Sequence, residues 1–111
     1  MLLSKLTLTP EVMALIAERF KALAEPARLQ ILSCLRAGEM SVNDLVNEIG
    51  FGQPNVSKHL QRLHAMGFVR RRKEGLFVYY ALADKGIFQL CDTMCGRLEQ
   101  EMKRRHKLLA G

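Results

Sequence analysis

The three prolines of the chain constrain its fold, because each stands at the start of a helical pattern. Pro10 follows Thr9, a residue type that commonly caps helices, and Pro26 and Pro54 also precede apolar residues at helical spacing. Proline fits the first turn of a helix and disrupts a helix interior. The sequence therefore predicts helices that begin near each of these three residues.

Capping and turn signals predict the remaining elements. A third helix is expected over 41–50 and a last helix over about 84–108, where Asp84 would act as the N-cap. Two strands, 68–73 and 76–82, are joined at a Glu-Gly turn signal. At 111 residues the chain is expected to form one domain. Its fold is predicted to be mainly α with a small β-hairpin, in which four helices precede the strands and one follows them.

The most basic part of the chain is the segment 49–73, which contains no acidic residue. Its six cations account for the whole formal net charge of +6, since the rest of the chain has equal numbers of basic and acidic residues. Cations held at fixed positions on a helix and a hairpin indicate a surface for a polyanion, most commonly nucleic acid. These cations are Lys58, Arg62, Arg70, Arg71, Arg72 and Lys73.

Residues 41–66 have the pattern of a helix-turn-helix, and residues 68–82 that of a wing. In the second of the two helices, Val56, Leu60 and Leu63 share one face and are expected to pack on the core. The opposite face is polar and suits the major groove of DNA, where Gln and Asn pair with adenine and Arg and Lys with guanine. Alternation along the wing strand is expected to direct about half of its cations toward DNA. The sequence therefore predicts a DNA-binding protein.

Five segments follow one another in a distinctive order: FKALAEPARLQIL from Phe20, SVxxL from Ser41, QPNVSKHLxxL from Gln53, GFVR from Gly67 and GLFVYYAL from Gly75. With these segments the chain resembles the ArsR/SmtB family of winged-helix repressors, over about residues 12–100. The resemblance implies a winged helix-turn-helix and a homodimer that represses transcription until an inducer binds.

The resemblance also implies which residues contact DNA. Five residues between Gln53 and His59 fall where the family contacts bases and phosphates. Other candidates come from the basic segment and from the start of the third helix. The full set of candidate DNA contacts is Ser41, Gln53, Asn55, Ser57, Lys58, His59, Arg62, Arg70, Arg72 and Lys73.

The first and last helices, at about 9–24 and 84–108, are expected to form the dimer interface. The last helix would be roughly 35 Å long, which exceeds what a core of this size can cover. An uncovered apolar stripe usually meets a partner, and a two-fold dimer predicts a palindromic double-stranded operator. The stripe comprises Ile87, Leu90, Cys91, Met94, Leu98 and Met102.

The three cysteines are the candidate sensor residues. Cys91 and Cys95 are four residues apart on the last helix, so both could hold one soft ion: As(III), Sb(III), Cd(II) or Cu(I). A thiol-reactive inducer is the other possibility. Alternatively both residues only pack, and the protein is a regulator without a metal site. Cys34, beside Ile31 and Leu35, is expected to pack, although it could supply a third sulfur atom.

The other sensing sites known in the family are not reproduced. The third helix, 41–49, contains no cysteine, so its thiolate motif is absent. Asp84 matches the first ligand of the zinc site on the last helix, but zinc is not expected there. The three other ligand positions hold Gly86, Arg97 and Gln100. Persulfide sensors pair a second-helix cysteine with one late in the last helix; Cys34 lies one residue off the first position, and Glu99 occupies the second.

Other functional classes are not predicted. No apolar run approaches the roughly 18 residues of a membrane span, and the first residues are too few for a secretory signal. A cytoplasmic protein with reduced thiols and no membrane partner is therefore expected. The spacing of Cys91 and Cys95 differs from that of Cys-x-x-Cys redox centres, and neither a phosphate-binding loop nor a nucleophile elbow is present. An enzyme is not expected.

Overall fold

The computed structural model describes residues 7–110 and has the mainly α fold with a small sheet that the sequence predicts. The hairpin strands and the helices follow one another in the predicted order, and a short additional strand precedes the third helix. The helices are α1 (Pro10–Leu23), α2 (Pro26–Leu35), α3 (Val42–Ile49), α4 (Gln53–Ala65) and α5 (Ile87–Ala110). The strands are β1 (Met40–Ser41), β2 (Val69–Glu74) and β3 (Phe77–Leu82).

The starts of α1 and α3 are fixed by the side chains that the sequence identifies as caps. The hydroxyl of Thr9 accepts a hydrogen bond of 3.2 Å from the backbone N–H of Val12. At α3, the Ser41 hydroxyl accepts from the N–H of Asp44 at 3.0 Å, and the Asp44 carboxylate accepts from the N–H of Ser41 at 3.2 Å. These bonds satisfy N–H groups that a helix leaves without an intrahelical partner.

The start of α5 differs from the sequence prediction. The helix begins at Ile87 and continues to Ala110, whereas the expected range was about 84–108 with Asp84 as its cap. The Asp84 carboxylate instead accepts from the N–H of Gly86 at 2.8 Å. An aspartate that binds the backbone two residues ahead closes a turn, and so the helix starts after that turn.

The sheet is antiparallel, with the strand order β1-β3-β2. The hairpin of β2 and β3 pairs from Val69 with Leu82 to Glu74 with Phe77. Strand β1 is only two residues long and pairs with Tyr79 and Tyr80 of β3. The sheet is therefore three strands wide near its middle and only two strands wide at the hairpin tip.

The core lies between α2, α3, α4, the hairpin and the first turn of α5. Its largest fully buried side chains come from α2, α3 and α4. They are Ile31, Leu32, Leu35, Leu45, Val56, Leu60 and Leu63. Because the apolar face of α4 packs in this core, the polar face of α4 is turned outward. Leu29 of α2 is 43% exposed, because it lies on the other side of the helix from Ile31 and Leu35.

Helices α1 and α5 leave much of their apolar surface uncovered in a single protomer. The radius of gyration is 17.1 Å, against about 13 Å for a compact domain of this length, because α5 extends beyond the core. Within residues 7–110, no helix is long and apolar enough to span a membrane. The exposed apolar residues of the two helices include Met13, Leu15, Phe20, Leu90, Met94, Leu98 and Met102.

Candidate nucleic-acid interface

Helix α4 presents a polar face because its apolar face is fixed in the core. Val56, Leu60 and Leu63 are fully buried. Since residues three and four apart share a helix face, the residues between them project outward. Gln53, Asn55, Lys58, Gln61 and Arg62 are exposed, and Ser57 and His59 are half-buried.

A cleft of about 420 Å³ separates α4 from the hairpin. Its helical wall comprises Gln53, Ser57, Gln61 and His64, which recur at intervals of three or four residues. Its opposite wall includes Arg71, with further residues from α3 and the strands. The cleft thus joins amide, hydroxyl and guanidinium groups of two elements on one surface.

The arginines of β2 lie on opposite faces of the hairpin. Val69 is buried, and Arg71 and Lys73 share its face, because strand residues alternate between faces. Arg70 and Arg72 lie on the other face. The candidate set from the sequence omitted Arg71, although this is the strand arginine that lines the cleft. Strand residues two apart share a face, so the apolar Val69 would have indicated that Arg71 lies on the same face.

Arg72 is held by groups of its own protein. Its guanidinium donates hydrogen bonds of 2.7 and 3.1 Å to the Glu39 carboxylate and a further one to Glu74. It also lies 4.6 Å from the centroid of the Tyr79 ring. The hydrogen bonds that Arg72 donates to Glu39 and then to Glu74 raise the pKa of Arg72, and the bond from Arg72 lowers the pKa of Glu39. Because its charge is compensated by these two carboxylates, we do not include Arg72 among the proposed DNA contacts.

Ser41 is also committed within the protein. It is 6% exposed, and its hydroxyl accepts the N–H of Asp44 at the start of α3. Its backbone forms part of β1, opposite Tyr79. Ser41 lines the cleft, but its hydroxyl is engaged as a helix cap, so we do not include it among the proposed DNA contacts.

The other flank of α4 faces α1 and α2. Arg62 forms an ion pair of 3.3 Å with Glu18 of α1, so part of its charge is compensated. Lys58 and His59 lie beside Arg28 of α2 in a shallow depression on this flank. In the described part of the chain, the cations of the basic segment that form no ion pair are Lys58, Arg70, Arg71 and Lys73.

The structure places the three cysteines in different surroundings. Cys34 and Cys91 are partly buried against the core, and Cys95 is exposed on α5. Burial, and secondly the charge of Glu48, raises the pKa of the Cys34 thiol. Among residues 7–110, no three His, Cys, Asp or Glu residues are grouped so that they could hold a metal ion.

The sequence is similar to those of known bacterial regulators. A family described as "Bacterial regulatory protein, arsR family" matches residues 25–71. The regulator KmtR of Mycobacterium tuberculosis is 37% identical over 83 residues, which cover 75% of this chain and 64% of that protein. The transcriptional repressor SmtB homolog of Synechocystis sp. is 36% identical over 96 residues, covering 82% of this chain and 73% of the homolog.

The fold is also similar to a solved structure. The homodimeric winged helix-turn-helix domain of Mb0332 from Mycobacterium bovis, described as a possible ArsR-family regulator, superposes with a TM-score of 0.72. The two sequences are 31% identical, and the match covers 81% of this chain and 83% of that one. This similarity confirms the winged helix-turn-helix arrangement of α3, α4 and the hairpin.

Proposed function

This chain belongs to the arsR family of DNA-binding transcriptional regulators, and we propose that it represses transcription as a homodimer on a palindromic operator. The observation that carries the proposal is the cleft shared by α4 and the hairpin. It supports simultaneous contact with base edges and with the phosphate backbone, which is the combination that specific recognition needs. We assign the protein to the cytoplasm, where such a repressor meets its DNA.

Helix α4 enters the major groove in this proposal. Its exposed amides can pair with adenine, and Lys58 can bind guanine or a phosphate group. The hairpin follows the adjacent backbone with its unpaired cations. The proposed contacts of α4 are Gln53, Asn55, Ser57, Lys58, His59, Gln61 and Arg62, and those of the wing are Arg70, Arg71 and Lys73.

The dimer forms through α1 and α5. Leu98 and Met94 of α5 are 54% and 69% exposed, and such a stripe is stabilised by a partner that covers it. The homodimeric state of the similar Mb0332 domain supports a dimer of this chain. The α4 helices of the two subunits, the reading helices, are related by a two-fold axis. They therefore require half-sites on the DNA that lie about one helical turn apart.

The test is the salt dependence of binding to a palindromic duplex. We expect log K to fall linearly with log salt, by about 0.9 for each phosphate group neutralised. Lys58→Ala should reduce this slope by about 0.9 for each subunit, because each subunit loses one phosphate contact. Gln53→Ala should lower affinity for the operator more than for random duplex. Lys107→Ala is the control, because Lys107 lies at the far end of α5. A flat salt profile would remove the proposal.

We propose that the inducer is a soft metal, metalloid or thiol-reactive compound that acts at Cys91 and Cys95. The two residues lie one turn apart on the helix that supports the dimer, so a ligand there would shift α5 and the spacing of the reading helices. As(III) prefers three sulfur ligands, and no three candidate ligands are grouped within residues 7–110 of one protomer. As(III) would therefore need a sulfur atom from the second subunit.

A double substitution separates this inducer from the alternative. Cys91→Ser/Cys95→Ser protein should bind operator normally and no longer be released by As(III), Sb(III), Cd(II) or Cu(I), whichever of these releases the wild type. Cys34→Ser serves as the matched control and should still be released. If the double variant is released as the wild type is, the cysteines only pack and another signal acts.

A further inference from the structure

Arg72 crosses the middle of the three-stranded sheet. It stands on β2 directly opposite Tyr79 of β3, and Tyr79 in turn pairs with Ser41 of β1. The Arg72 side chain lies over the Tyr79 ring and reaches the Glu39 carboxylate, which immediately precedes β1. One side chain thus connects all three strands on the face that is turned away from the cleft.

The position of this connection within the sheet is informative. The row of Arg72, Tyr79 and Ser41 is the outermost row in which three strands lie side by side. Beyond it, residues 73–78 form a ribbon of only two strands. A two-stranded ribbon has little stability of its own, so its direction depends on how its base is held.

At the base of this ribbon, the positive charge of Arg72 is compensated within the protein. Arg72 donates to both Glu39 and Glu74, and the two hydrogen bonds to Glu39 engage both oxygen atoms of its carboxylate. A planar guanidinium group gives such a pair a defined geometry, which a lysine cannot reproduce. A cation between two carboxylates is poorly suited to attract a phosphate group.

We infer that Arg72 is a positioning residue of the wing, which fixes the direction of residues 73–78 through Glu39 and does not itself bind DNA. The inference rests on the proposed function, because it assumes that the wing meets DNA. Arg71 and Lys73 lie on the opposite face of the same strand, and the connection through Arg72 holds that face toward the groove.

The variant Glu39→Gln gives the decisive test, because the two explanations predict changes of opposite sign. Removal of a negative charge near DNA should strengthen binding if Glu39 matters only through its charge. If Glu39 positions the wing through Arg72, binding should weaken, by about two- to fivefold for an exposed pair. The slope against log salt should stay unchanged, since no phosphate contact is lost.

The matched variants are Arg72→Lys, Lys73→Ala and the exchange Glu39→Arg/Arg72→Glu. Arg72→Lys keeps the charge and should weaken binding as Glu39→Gln does, and the exchange should restore part of the affinity. Lys73→Ala, which removes a proposed phosphate contact, should lower the slope by about 0.9 per contact. The inference is wrong if Arg72→Lys leaves affinity intact, or if a further variant, Arg72→Gln, lowers the slope as Lys73→Ala does.

Hydrogen exchange in the free protein separates this inference from the proposed function. Glu39→Gln should accelerate exchange of the β2 and β3 amides at the hairpin tip and leave α4 unchanged. Unchanged exchange at the tip would overturn the inference whatever the DNA data show. If exchange accelerates but neither Lys73→Ala nor Glu39→Gln changes DNA binding, the wing does not contact DNA, and the proposed interface fails instead.

Discussion

The guanidinium group of Arg36 binds the carboxylate of Asp92 through two hydrogen bonds of 3.1 and 3.2 Å. Arg36 immediately follows α2, and Asp92 lies in the second turn of α5. The same guanidinium lies 4.4 Å from the centroid of the Phe88 ring, one turn earlier on α5. The contact therefore joins the end of α2, which packs in the core with α4, to α5, the helix of the proposed dimer interface.

Asp92→Asn should loosen this junction. We expect weaker binding to a full palindromic operator, because the two reading helices would no longer hold a fixed spacing, while affinity for an isolated half-site stays unchanged. Fluorescence anisotropy with both duplexes measures the difference. Glu99→Gln is the control, since the partner of Glu99 within residues 7–110 is Lys103 of its own helix. Equal losses on both duplexes would contradict this role.

Ser41→Ala tests whether this residue acts as a helix cap. Loss of the hydroxyl that accepts from Asp44 should lower the free energy of unfolding by about 1 kcal/mol. The slope of operator binding against log salt should not change. Urea denaturation and anisotropy measure the two quantities. A variant of normal stability with weakened DNA binding would favour the direct contact that the sequence suggested.

Arg70 and Arg71 form a natural matched pair, because they are neighbours of the same type on opposite faces of β2. Arg71→Ala should reduce operator affinity more than Arg70→Ala, since Arg71 lines the cleft beside α4. Each lost phosphate contact should lower the salt slope by about 0.9. A greater loss for Arg70→Ala would show that the wing meets DNA with its other face.

Leu98→Glu should dissociate the homodimer and leave the protomer folded. Leu98 is 54% exposed in the protomer, so a carboxylate there is solvated in the monomer and buried only in the dimer. Sedimentation analysis should show a monomer with a normal far-UV spectrum. Gln100→Glu, on the opposite side of α5, should remain dimeric. A dimeric Leu98→Glu protein would exclude this face as the interface.

The cysteines should differ in their rates of alkylation. Burial raises the pKa of the Cys34 thiol, so Cys34 stays protonated at neutral pH, and its thiolate forms only as pH rises through the raised value. Cys95 is exposed and should react first in the monomeric Leu98→Glu protein. Mass spectrometry after brief iodoacetamide treatment measures the order. Faster labelling of Cys34 would contradict its placement against the core.

The helices and the hairpin could be predicted because their signals are local. Thr9 and Ser41 act as caps within three residues of their own positions, and the buried face of α4 follows from the spacing of Val56, Leu60 and Leu63. Such signals depend on backbone hydrogen bonds and helix geometry, which need no knowledge of distant segments.

The roles of individual arginines could not be predicted, because they depend on contacts between distant residues. Glu39 neutralises Arg72 across 33 positions of sequence, and Glu18 reaches Arg62 across 44. Strand β1 was missed for the same reason, since a two-residue strand has no pattern of its own and exists through its pairing with β3. The local error at Asp84 is different: an aspartate can close a turn or cap a helix, and the sequence allows both.

The short reach of β1 has a practical consequence for engineering. Because the third strand ends beside Tyr79, the turn that contains Leu76, which is 97% exposed, has no third strand beside it in the described protomer and borders only the cleft with α4. Peptide epitopes or fluorescent labels grafted at that turn should leave the folding unit intact. The tip is thus an attachment point for probes of folding, and grafts there would alter the wing that the proposed interface uses.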